Sequence, residues 1–119
     1  MKLGSEDGTF VVVEWTAGTD TNRERPIAAL HLHRDEDEAW YVLDGRLGFR
    51  IGDDEVEAAA GEGVFVARGT PHTYWNAAGS PTRYILVMGP QTAAMIEELH
   101  KPGVSDYAAL FERYGSELL

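Results

Sequence analysis

The chain contains no cysteine among its 119 residues. That excludes disulfides, thiolate zinc sites, iron–sulfur clusters and thiol nucleophiles, and it fits a reducing compartment. Positive charge is scarce as well: ten Lys and Arg face twenty Asp and Glu, giving −10 at neutral pH. A surface of that sign repels phosphate backbones, so no nucleic-acid partner is expected. No apolar run approaches the roughly 20 residues of a membrane span. The stretch from Met1 to Asp7 also lacks the apolar core of a signal peptide. A soluble, cytoplasmic protein without membrane partners is the expectation. Hydrophobic residues make up 44 % of the chain, and one domain of this length can bury a core without cross-links.

Turn residues at close intervals divide the first ninety residues into short strands, the all-β pattern. Strands are expected over Thr9 to Trp15, Ile27 to His33, Glu38 to Leu43, Arg46 to Ile51, Glu55 to Ala59, Val64 to Ala67, His72 to Asn76 and Thr82 to Met88, about eight in all. Asp44-Gly45 joins two of them as a hairpin signal. Thr16 to Arg25 is polar and without periodicity, and reads as a mobile loop at the mouth of a barrel. After Pro90 the period changes. Ala94, Ile96 and Leu99 mark one amphipathic helix; Ala108, Leu110, Phe111 and Tyr114 mark a second, with Asp106 as N-cap and Gly115 at its end. The division is therefore a barrel over 1–90 and a helical tail over 91–119 packed on its outside.

The chemistry is concentrated in His31-Leu32-His33-Arg34-Asp35-Glu36-Asp37-Glu38. Residues two apart on a strand share a face, so His31 and His33 present two imidazoles together. Glu38, opening the next strand, can bring a carboxylate back to the same place. Imidazole with carboxylate suits a transition metal and disfavours Mg or Ca. A lone strand histidine is more often merely hydrogen-bonded, and acidic runs such as Asp35 to Asp37 are usually solvated turns. These residues alone leave a metal site at even odds.

The second stretch, Gly61-Glu62-Gly63 through Gly69-Thr70-Pro71-His72 to Asn76, completes a pattern. Together the two stretches resemble the motifs of the cupin superfamily. In the first motif two histidines stand one residue apart, a glutamate follows five residues on and a glycine seven beyond it: here His31, His33, Glu38 and Gly45. In the second, Gly61, Gly69, His72 and Asn76 match. The leading glycine of the first motif falls at Arg25 and the proline of the second at Ala67, both turn positions rather than ligands. The resemblance spans residues 25 to 88. It implies an all-β double-stranded β-helix, or jelly roll, holding one divalent transition metal (Fe, Mn, Ni, Cu, Co or Zn) on His31, His33, Glu38 and His72. The helical tail carries a fainter similarity to small quercetin-dioxygenase-like cupins.

Face alternation nominates Trp40, Tyr74 and Asn76 as substrate contacts, with Arg83 as a partner for an acidic group. Phe49, Ile51, Phe65, Ile85 and Val87 are assigned to the core, and His100 to no role. Leu30, Leu32, Tyr41 and Leu43 would form an outward apolar face, covered by the tail or by a second subunit of a homodimer. Three neutral imidazoles and one carboxylate leave coordination positions open for small molecules. A dioxygenase-type oxidoreductase acting on a small enolizable substrate is expected, with Glu38 as ligand or base. The alternatives are a metal-dependent isomerase, lyase or decarboxylase, and a non-catalytic binding barrel.

Overall fold

The computed structural model describes residues 1–119. Ten strands and two helices follow one another in the order β1 (Lys2–Leu3), β2 (Val11–Ala17), β3 (Ala28–His33), β4 (Glu38–Asp44), β5 (Arg46–Ile51), β6 (Asp54–Ala59), β7 (Gly63–Val66), β8 (His72–Asn76), β9 (Thr82–Met88), α1 (Pro90–Leu99), α2 (Tyr107–Arg113) and β10 (Ser116–Leu118). Eight strands correspond to those expected, with ends displaced by up to two residues. The two additions, β1 and β10, are too short to carry a periodic signal.

The strands form two five-stranded antiparallel sheets, ordered β1-β2-β9-β4-β7 and β10-β3-β8-β5-β6. Their facing sides interdigitate Val11, Val13, Trp40, Val42, Tyr84 and Leu86 of the first sheet with Leu47, Phe49 and Tyr74 of the second, all buried. Burying a side chain of this size contributes roughly 1.5–3 kcal/mol, so the inter-sheet core is what holds the two layers together. The β4–β5 hairpin turns at Gly45, whose φ is +97° and where a Cβ would lie 2.9 Å from the Thr82 Cα. Only glycine satisfies both demands.

Three expectations about packing are corrected. First, the acidic run is not a solvated turn. The Glu36 carboxylate accepts from the N–H groups of Gln91 (3.0 Å) and Thr92 (2.7 Å), capping the free donors at the start of α1. It stands where a Cβ of residue 89 would be, which is why Gly89 precedes the helix. Asp37 accepts from the backbone N–H of Arg68 at 2.9 Å and pairs with its guanidinium. Second, Thr16 to Arg25 is fastened rather than free. Thr21 Oγ1 accepts from the Asn76 N–H at 3.1 Å, and the Arg23 guanidinium lies over the Trp75 ring.

Third, the outward apolar face divides between the sheets. Leu30 and Leu32 lie on the β3 sheet, whereas Tyr41 and Leu43 lie on the β4 sheet beside Phe65, Ile85 and Val87. Phe65 is 62 % exposed and Tyr41 47 %, so Phe65 is surface and not core. Ile85 and Val87 alternate outward with the buried Tyr84, Leu86 and Met88. No helix is long and apolar enough to cross a membrane.

Candidate metal centre

His31 and His33 occupy alternate positions of β3, and His72 opens β8 directly opposite His31 in the strand register. Glu38 opens β4 in the other sheet. The carboxylate therefore reaches the imidazoles from the facing layer and not, as local spacing suggested, from an adjacent strand. All four side chains are buried, and one donor atom from each lies within 4.8 Å of the others. His31 Nε2 and His33 Nε2 are 3.2 Å apart, while His33 Nε2 and His72 Nε2 are each 3.1 Å from Glu38 Oε1. Adjacent donors about 2.1 Å from a common ion stand about 3.0–3.4 Å apart, so the cluster has the dimensions of one coordination sphere.

The far side of each ring explains why the Nε2 atoms converge. His31 Nδ1 bonds the Ala29 carbonyl at 2.6 Å, His72 Nδ1 the Thr70 carbonyl at 2.9 Å, and His33 Nδ1 the Ser116 hydroxyl at 2.7 Å. Donation from Nδ1 leaves the Nε2 lone pairs pointing inward, the tautomer metal ligation needs. Three inward lone pairs and a carboxylate repel one another unless a cation stands among them. Burial lowers the His31 pKa to about 4, and the neighbouring His72 ring acts in the same direction, so His31 is neutral at physiological pH. Burial pushes Glu38 up, but when His33 and His72 carry the proton on Nε2 instead, as they can without a cation, they donate to Glu38 and hold its carboxyl at about 2. The donor set fits a divalent transition metal.

Above the cluster lies a cavity of about 440 Å³. Trp40 and Tyr74 line it, as face alternation suggested. The Tyr74 hydroxyl is 2.9 Å from that of Tyr84, and burial raises both phenols, so both stay protonated.

The structure does not bring Asn76 and Arg83 to this cavity. The Asn76 side-chain N–H groups donate to the carbonyls of Gly18 (2.8 Å) and Ser80 (3.0 Å), and its Oδ1 accepts from Thr82 and Ala78. It ties loops together at the other end of β8. Arg83 is exposed and pairs with Glu14 at 3.2 Å on the outer face of the sheet.

The helical tail lines one side of the cavity. Met95, Ile96 and Leu99 of α1, His100 after it, and Tyr107 and Phe111 of α2 form one wall. The Phe111 ring meets His31 edge-on at 5.5 Å. Beyond α2, β10 pairs antiparallel with β3, setting Ser116 opposite His33. Sequence reasoning missed Ser116 and His100. The one available signal for Ser116 was the short alternation after Gly115; nothing marked His100.

Two layers of antiparallel sheet around an inward-facing His₃Glu cluster define a metal-site barrel of the double-stranded β-helix class. A cupin-domain family model matches residues 23–88, more than half of the chain, and the protein belongs to the cupin family. Among solved structures, a cupin protein from Bacteroides fragilis aligns at 17 % identity with a TM-score of 0.59, covering 69 % of this chain and 66 % of that one. TT1209 from Thermus thermophilus aligns at 25 % identity and 0.60, covering 74 % and 77 %. Fe(II)-HppE, solved with an alternative substrate, aligns at 25 % and 0.55, covering 66 % of this chain but 42 % of its own. Thus the chain spans two thirds or less of some of the structures it matches. Among curated proteins, none matches it.

Proposed function

We propose that the protein is a metal-dependent oxidoreductase of dioxygenase type that acts on a small enolizable organic molecule, with His31, His33, Glu38 and His72 holding one divalent transition metal. The observation that carries this reading is the convergence of four buried donors at the wall of a cavity of about 440 Å³. A purely structural metal would be enclosed by its ligands; this cluster faces space for a second molecule. A metal bound there supplies Lewis-acid chemistry and, if redox-active, electron transfer to dioxygen.

The chain's own residues perform the rest. The three imidazoles are fixed in orientation by their Nδ1 partners, and those of His31 and His72, being carbonyls, fix the tautomer as well. Glu38, with so low a proton affinity, is better suited to remain a donor atom than to act as base. It gains basicity only when its contacts with His33 and His72 loosen. The wall formed by α1 and α2 keeps water from a bound substrate. Trp40 and Tyr74 remain as proposed substrate contacts; Asn76 and Arg83 do not.

The test is elemental analysis of the purified protein beside His31→Ala, followed by oxygen-uptake assays with enolizable compounds. About one equivalent of metal, lost in the variant, together with substrate-dependent oxygen uptake, supports the reading. Substrate proton exchange without oxygen uptake would instead identify an isomerase or lyase. We further propose a cytoplasmic homodimer joined through the face that carries Phe65 and Tyr41. Sedimentation of Phe65→Asp as a monomer, against a dimeric parent, would support that arrangement.

A further inference from the structure

Resting on the metal reading above, we infer that the substrate has an uncharged, hydrocarbon-rich body of one or two rings and carries its polarity in a single oxygen-bearing head at the metal. Thirteen of the seventeen residues lining the cavity are hydrophobic, and none is lysine or arginine. A phosphate, a sulfonate or a second carboxylate on the substrate body would meet no lysine or arginine there, and His100 as the one imidazole outside the ligand set, so its large desolvation cost is poorly repaid. The site's one carboxylate, Glu38, would repel it. The metal can neutralise only a head group attached directly to it. Polar small molecules with several hydroxyls fare little better, since the wall offers few acceptors or donors beyond the ligands themselves.

What the cavity does offer is aromatic surface. Trp15, Trp40, Tyr74 and Phe111 face it, suiting the face or edge of a flat ring. The volume lies at the lower end of the range for small-molecule sites, which limits the body to one or two rings.

The experiment uses cobalt(II)-loaded protein and two probes with the same chelating head: 1-phenylbutane-1,3-dione and its ring para-carboxylate. Binding is followed through the visible cobalt bands, with oxalate and inorganic phosphate titrated alongside. The neutral dione is expected to bind at least tenfold more tightly than its carboxylate, and far more tightly than either small anion. Equal or tighter binding of the carboxylate, oxalate or phosphate overturns the inference, as does cobalt-loaded protein that binds neither dione. A protein that takes up no cobalt overturns the metal reading instead. The preference between the two diones is then read from tryptophan fluorescence of the metal-free protein, so the two failures remain distinct.

Discussion

Replacing Ser116 with alanine removes one oxygen from a fully buried position and leaves the backbone pairing of β10 with β3 untouched. Its hydroxyl is 2.7 Å from His33 Nδ1 and 0 % exposed, so no water can easily take its place. The His33 N–H is then left without an acceptor, costing about 1–3 kcal/mol. Part of that cost is relieved if the proton moves to Nε2, but this turns the ligand lone pair away from the metal. Either route weakens binding, and partners of this kind are typically worth 10–100-fold in metal affinity. Competition titration of cobalt or zinc against a chromophoric chelator measures it directly. A loss of at least tenfold is expected in Ser116→Ala, with substantial recovery in Ser116→Thr, which restores the hydroxyl. Affinity in Ser116→Ala within twofold of the parent would refute the argument that this contact sets the tautomer of His33.

Three further outcomes are expected. His72→Ala should lose most of its metal while keeping the far-ultraviolet signature of the barrel; unchanged stoichiometry would remove His72 from the ligand set. Metal-free protein should weaken steadily in urea as pH falls from 7. The folded pKa of His31 is about 4 against an ordinary 6.5, so its penalty is absent above 6.5 and grows to about 3 kcal/mol by pH 4. The folded pKa of Glu38 is about 2 against 4.5, so its stabilisation is present above 4.5 and lost toward pH 2. Both slopes have the same sign, and a urea midpoint that stays flat between pH 7 and 4.5 would contradict the burial assigned to His31. Glu36→Ala uncaps α1 and should cost about 1–2 kcal/mol, lowering the melting temperature by roughly 3–10 °C; no shift would show that the cap is not used.

The barrel was legible because it depends on local rules, and the four ligand positions because those rules combine with the motif resemblance. Strand alternation places His31 with His33 and Trp40 with Glu38, and turn residues mark most strand ends. The parts that were not legible depend on contacts between distant segments. Glu36 looks like one more acid in a solvated run until α1 arrives to be capped. His100 looks incidental until the tail folds over the cavity. Asn76 and Arg83 were read by face alone, which does not distinguish the two ends of a strand or the side of a sheet facing solvent. Sequence spacing likewise cannot tell a neighbouring strand from a facing layer, and Glu38 belongs to the facing layer.

The contact between His33 and Ser116 spans 83 positions of chain. During synthesis the four metal ligands all emerge well before the segment that locks one of them in place. Until β10 pairs with β3, His33 is free to choose either tautomer, and the cavity has no wall of helices. Non-local pairing of this kind forms slowly. A metal present early would meet a loose set of imidazoles, and one arriving late would meet a set held by its packing. Which ion the protein keeps is in this sense a question of timing as well as affinity.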